Sequence, residues 1–244
     1  IADELVDGAA AQAHTDPAAA LDAYEQTILA APQQRLHTDP VVHAYAITAR
    51  RCGFHREHLV AFFSSMRADL TQREYSPSEL QAYIYGSAEA IGLLCLQIFL
   101  AEEDVSPADR AAMERGARAL GSAFQKINFL RDLSEDSSTL GRTYFQQVQS
   151  GRIDEATKSA LIAEIRRELA TAALTIDLLP ASARVGVSAA ADIFAELTNR
   201  LAATPATALA TTRVSVPNHT KAWLAARAVR RRGHSSQTSA TAEN

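Results

Sequence analysis

Cysteine is scarce in this chain of 244 residues: Cys52 and Cys95 are the two. That excludes a disulfide framework and any cysteine-rich zinc site. Both lie in apolar, helix-like surroundings and read as buried thiols of a reducing compartment. Glycine and proline are few, 10 and 8 residues, and no glycine-rich nucleotide loop occurs. Positive charge is not in excess; the formal net charge is −4, which argues against a nucleic-acid partner. Long apolar runs are missing too. The most apolar stretch, 90–101, contains Gln97 and falls short of the roughly 18 residues that cross a bilayer. There is no Ser-His-Asp grouping and no heptad seam. The seven histidines are scattered. His43, His55 and His58 are close in sequence, but no cysteine or second histidine cluster completes a metal site.

What is present points to helices. The hydrophobic fraction is 47% and alanine is abundant. Asp16-Pro17, Asp39-Pro40, Ser76-Pro77 and Ser106-Pro107 each pair a helix-capping side chain with proline at the first helical position. Ser76-Pro77-Ser78-Glu79 adds a capping box. The pattern predicts helices from the start to about residue 14, then over 17–30, 40–52, 56–71, from 77 into the nineties, and from 107 through 136. Further helices are expected over 154–176, 182–201 and 221–232. The chain is thus all-α and forms one domain over 1–232, with a disordered tail over 233–244. It opens without Met, inside what reads as a helix, and an N-terminal segment is expected to be missing. The last helix joins Trp223, Leu224 and Val229 to Arg227, Arg230, Arg231 and Arg232. It reads as a packing helix with a basic end, the alternative being contact with an anionic membrane surface.

The chemistry concentrates in 123–136. Asn128, Asp132 and Asp136 are spaced four apart and would share one helix face, with Gln125 beside them. Phe124, Ile127, Leu130 and Leu133 suit the core side. Carboxylates stacked beside so much apolar surface call for a partner. A hard divalent cation such as Mg²⁺ suits oxygen donors and brings substrate phosphates with it. Asp3 and Asp7 repeat the spacing at the start of the chain. Two such helices face to face would hold metal ions and a diphosphate leaving group. A solvated acidic turn is the plainer alternative.

The run Asn128-Phe129-Leu130-Arg131-Asp132-Leu133-Ser134-Glu135-Asp136, followed by Gly141-Arg142-Thr143-Tyr144-Phe145, resembles the second aspartate-rich signature of the squalene/phytoene synthases. Asp3-Glu4-Leu5-Val6-Asp7 resembles the first. Met66-Arg67-Ala68-Asp69-Leu70 with Tyr75, the helix holding Tyr83 and Gly92, and Thr212-Arg213-Val214-Ser215-Val216 with Lys221 resemble the family at their places. The likeness extends over about residues 1–230, and is greatest to bacterial phytoene synthases. Two departures stand out: Glu89 where glycine is usual, and Phe194 where tyrosine is frequent. Glu89 either meets solvent or a basic partner, or reshapes the pocket. Phe194 keeps only a wall position.

The resemblance implies an isoprenoid-synthase-type helical bundle around a central cavity. It implies a prenyltransferase that joins two geranylgeranyl diphosphates head to head into phytoene, through a cyclopropyl diphosphate. A C30 synthase using farnesyl diphosphate is the alternative. A non-catalytic helical homologue acting in complex assembly is another. By resemblance, Asp3, Asp7, Asn128, Asp132 and Asp136 would hold Mg²⁺, or Mn²⁺ in its place. Gln125, Asn128, Tyr83, Arg142 and Tyr144 would bind substrate, and Tyr83 and Arg142 would act at the diphosphate or on the departing proton. Asp69 reads as structural or as a support. No NADPH is expected. The partners implied are prenyl diphosphates and, beyond them, downstream carotenoid enzymes. The expected location is cytoplasmic, free or peripheral on the inner face of a membrane.

Overall fold

The computed structural model describes residues 1–133 and 153–240, and all regular structure among them is helical. The first helix is shorter than its sequence suggests. α1 (Ala2–Asp7) stops at Gly8, whose φ is 136°, and α2 (Ala9–Gln12) follows. Glycine reaches such a backbone without a Cβ penalty, so the break falls there. After it come α3 (Pro17–Ala30), α4 (Pro40–Cys52), α5 (Arg56–Thr71), α6 (Pro77–Ile84) and α7 (Ala90–Phe99). The chain continues with α8 (Pro107–Arg131), α9 (Glu155–Ile176), α10 (Ala181–Ala203), α11 (Ala206–Leu209) and α12 (Asn218–Ala240).

The starts obey local chemistry. Asp16, Asp39, Ser76, Ser106 and Asp154 each accept a backbone N–H of the first turn they cap. Ser76 and Glu79 complete the capping box in both directions. Gly53, at φ 64°, closes α4 in the left-handed conformation, which removes the Cβ penalty of such a stop. At the end of α10 a buried cation does the equivalent work. Lys158 Nζ donates to the carbonyl of Thr204 at 2.6 Å and pairs with Glu155 at 2.9 Å.

α6 and α7 form one helix, Pro77–Phe99, with a single π turn, Tyr85–Glu89, inside it. Contrary to the sequence reading, this helix is long and apolar enough to cross a bilayer by length and composition alone. Here part of its apolar surface packs on α5 and α8, and Ile91 and Ile98 remain exposed. Two glycines make the approach close. A Cβ on Gly86 would lie 2.1 Å from the carbonyl oxygen of Ala61 on α5, and one on Gly92 2.7 Å from that of Ala117 on α8.

Leu21, Ile28, Val42, Phe63 and Met66 make a core for α1 and α3–α5. Tyr83, Ile127, Leu130, Ile165 and Leu201 make a second between α6 and α8–α10. α8 is also clamped to α9 electrostatically: buried Lys126 lies 2.5 Å from both Glu164 and Glu168. Burial opposes its charge, but the two carboxylates prevail and raise its pKa. Burial raises that of Glu168.

α12 packs on α10 through Leu224 and Ala228, and Arg227 and Arg231 both reach Asp192. Its helix continues through 233–240, where the sequence suggested disorder. Gly233 is the one strong helix breaker there, and a single glycine weakens a helix without ending it. The thiols also depart from expectation. Cys52 is half-buried and Cys95 exposed, both free.

Candidate active site

α8 ends sooner than the four-residue spacing implied. Asp132 has left helical geometry, at φ −100° and ψ 10°, though its N–H still bonds the Asn128 carbonyl at 2.9 Å. Asp132 is therefore the cap of α8, with its carboxylate turned into a basic setting. Arg131 Nε donates to its two oxygens at 2.9 and 3.1 Å, and Arg131 Nη2 donates as well. Arg213, from the stretch between α11 and α12, brings its Nε to 2.9 Å. Guanidinium forks that match a carboxylate match phosphate oxygens equally well.

One turn back, Asn128 is half-buried, and its Oδ1 is buried without a hydrogen-bond partner among the described residues. An amide oxygen in that state costs about 1–3 kcal/mol unless something satisfies it. Asn128 Oδ1 and the Asp132 carboxylate form an oxygen-only donor set, which fits a hard divalent cation. Gln125 is half-buried on the same helix. Asp3 and Asp7 are exposed at the two ends of α1. α1 rests on α3 and α5, and α5 packs in turn on α6. Asp136, Arg142 and Tyr144 lie outside the described residues.

Tyr83 does not present its hydroxyl as the sequence suggested. It is 6% exposed, and its O–H donates to both oxygens of Asp69, at 2.9 and 3.1 Å. Its ring sits edge-on to Tyr75, 5.2 Å between centroids, and 6.0 Å from Phe129, the neighbour of Asn128 on α8. A proton engaged by buried Asp69 leaves the Tyr83 oxygen as an acceptor. The pair links α5 to α6 directly beneath the Asn128 turn.

A cavity of about 560 Å³ lies between α7, α8, α9 and α10. Phe124, one turn from Asn128, is at its upper end, stacked on Phe194 at 3.8 Å between centroids. Phe194 thus stacks on a residue of the cavity wall. The lower end rests on Met113, Leu96 and Leu179, which form a buried cluster. Among the described residues, no charged side chain lines it.

Glu89 stays out of this cavity. Its carboxylate is 2.7 Å from Arg118 Nε on α8, and the Arg118 guanidinium lies 5.5 Å over the Tyr85 ring. Tyr85 in turn shares a 3.1 Å hydrogen bond with Nδ1 of buried His58. Of the two sequence alternatives for Glu89, the basic partner is the one observed. His55, Glu57 and His58 approach one another in the first turn of α5. That turn is the positive end of a helix, which disfavours a cation.

Sequence reasoning gave no role to Arg131 or Arg213. Arg131 was visible inside the signature. Arg213 stands among Thr and Val residues far along the chain, and only folding brings it to Asp132.

The squalene/phytoene synthase family model matches residues 1–220. Phytoene synthase 3 of Zea mays, a chloroplastic protein, is 37% identical over 149 residues, which are 59% of this chain and 33% of that protein. The crystal structure of a dehydrosqualene synthase in complex with ligand superposes with a TM-score of 0.77 at 20% identity, covering 96% of this chain and 83% of that one. A squalene synthase from Alicyclobacillus acidocaldarius gives a TM-score of 0.58 at 21% identity, over 77% of this chain and 72% of its own. The chain belongs to the squalene/phytoene synthase family, and its all-α fold is that of these two solved structures. The match spans about a third of the maize protein.

Proposed function

We propose that this chain carries the active centre of a phytoene synthase. It would condense two geranylgeranyl diphosphates head to head, with Mg²⁺ and without NADPH. The observation that carries this reading is the sequence of environments along α8. Asn128, whose oxygen has no partner among the described residues, stands one turn above a cavity that no charged side chain among those residues lines, and Asp132 with Arg131 and Arg213 stands one turn further on. That is what a molecule with a diphosphate head and a long hydrocarbon tail requires.

Asn128 and Asp132 would hold the metal, together with Asp3, Asp7 and Asp136. When bound, the ion neutralises charge on the leaving diphosphate. Arg131 and Arg213 would exchange the Asp132 carboxylate for diphosphate oxygens, orient the group and retain it after the C–O bond breaks. The pair of electrons leaves with the diphosphate, and the allylic cation adds to a double bond of the second substrate. Loss of one proton closes the cyclopropane. The second diphosphate then departs, the skeleton rearranges, and loss of a second proton gives the hydrocarbon. The apolar walls keep water from the cations, which would otherwise end as alcohols. With its O–H directed to Asp69, Tyr83 offers an oxygen lone pair for proton acceptance. The C20 substrate is preferred to C15 because the curated relatives that match are phytoene synthases.

The test is incubation of the full-length protein with Mg²⁺ and either geranylgeranyl or farnesyl diphosphate, followed by identification of the hydrocarbon. A C40 product with a central triene, lost on chelation and in Asp132→Ala, is the expected result. A C30 product keeps the mechanism and overturns the substrate. A folded protein that neither couples the substrates nor binds diphosphate with Mg²⁺ overturns the enzyme reading in favour of an assembly role.

A further inference from the structure

Four glycines line or flank the apolar cavity, and packing accounts for three. A Cβ on Gly92, Gly116 or Gly121 would lie 2.7, 1.8 or 2.6 Å from an atom of a neighbouring helix. Gly186 is different. It lies inside α10 and lines the same cavity, yet a Cβ there would meet nothing within 4 Å. Its backbone is not in the left-handed region. Glycine is among the least favourable residues inside a helix. Neither conformation nor close approach calls for it at this position. Gly186 is solvent-accessible, as befits a residue on the open side of the cavity.

We infer that Gly186 determines the prenyl chain length this protein accepts: its missing side chain leaves room for the end of a twenty-carbon tail. The inference rests on the function proposed above and adds the residue that selects the substrate. α8 and α10 run in the same direction past the cavity. Phe124 meets Phe194 at one end, and Met113 packs with Leu179, just before α10, at the other. Along α10, Gly186 lies eight residues, about 12 Å, from the level of Phe194, and Asn128 lies about 6 Å beyond Phe124 on the opposite side. Gly186 is then about 18 Å below Asn128, the inner edge of the proposed diphosphate site. Each five-carbon unit of an extended prenyl chain adds four bonds of about 1.5 Å, about 5 Å in projection. A fifteen-carbon chain of about 15 Å stops short of Gly186, whereas a twenty-carbon chain of about 20 Å passes it. A side chain at Gly186 would thus collide with the last unit of the longer substrate and spare the shorter one.

The experiment compares wild type, Gly186→Ala and Gly186→Leu in the full-length protein. Binding is measured with Mg²⁺ for inorganic diphosphate and for unreactive thiolo analogues of the fifteen- and twenty-carbon diphosphates, alongside thermal melting. Both variants should melt no lower than wild type, since alanine and leucine favour a helix more than glycine does. Gly186→Leu should bind diphosphate and the fifteen-carbon analogue as wild type does, and the twenty-carbon analogue at least tenfold more weakly. Gly186→Ala should fall between. Unchanged twenty-carbon binding in Gly186→Leu would overturn the inference, leaving an open-surface glycine. Equal loss of both analogues, with diphosphate binding retained, would overturn it also, because the side chain would then be closing the whole cavity. If wild type itself does not bind inorganic diphosphate with Mg²⁺, the proposed function falls and takes this inference with it.

Discussion

Arg213 Nε and Asp132 Oδ1 lie 2.9 Å apart, so the closing stretch of the chain is tied to the cap of α8. The contact places a cation on a carboxylate proposed above to hold a metal. Arg213→Gln should therefore weaken binding of inorganic diphosphate with Mg²⁺ about ten- to hundredfold, the range for one charged hydrogen bond. The same variant should bind Mn²⁺ more tightly in the absence of diphosphate, because a competing positive charge has gone. Calorimetry and the spin-resonance signal of Mn²⁺ read the two effects separately.

Tyr83→Phe removes a buried donor from Asp69. The carboxylate is 5% exposed, so losing that bond should lower stability by about 1–3 kcal/mol. Asp69→Asn should lower stability as well, since the buried Tyr83 hydroxyl then loses its charged acceptor. Urea midpoints of the two variants decide the matter.

Lys126→Met should be among the most damaging changes outside the site. It leaves Glu168, itself largely buried, without the cation 2.5 Å away. Breaking a buried pair on one side costs about 3–5 kcal/mol. Glu164 is 43% exposed and should contribute little. Adding Glu168→Leu to Lys126→Met should restore most of the stability in thermal melts.

His58 supplies a pH dependence. Burial, foremost, holds its pKa below the ordinary 6.5 in the folded protein, and His55 and Arg118 act in the same direction against Glu57 and Glu114. Below about pH 6.5 the unfolded chain then binds more protons than the folded one. This histidine's contribution is complete above that pH and is lost as pH falls toward the lowered folded value. His58→Gln should flatten that part of the stability curve, as measured by denaturant midpoints on either side of pH 6.5.

The sequence shows its helix starts plainly because a cap is a local object. Asp16, Asp39, Ser76 and Asp154 bond N–H groups two or three residues away, and no distant residue is needed to predict them. The family signatures were legible for the same reason. The end of α8 was not. Periodicity carried it through Asp136, but the Asp132 carboxylate answers to Arg213, which no local pattern connects to it. The bond from the Tyr83 hydroxyl to Asp69 joins residues fourteen apart, and only folding brings them together. Glu89 could be given a basic partner in principle, though Arg118 could be named only from the packed helices. The split of the first helix was foreseeable from Gly8, since a glycine there invites a change of φ.

The π turn at Tyr85–Glu89 has a consequence for alignment. Tyr83 and Gly92 are nine residues apart, which in a regular helix points them to opposite sides, about 180° around the axis. Yet Tyr83 touches Phe129 and Gly92 meets Ala117, both on α8. Absorbing one extra residue brings the two within about 80°. The turn works as a phase shifter, letting two segments written in different reading frames of the helical repeat address one neighbour. A single-residue deletion here should therefore turn the π turn into regular α-helix and keep Gly92 and Cys95 in phase with α8, whereas one more inserted residue would rotate both out of it.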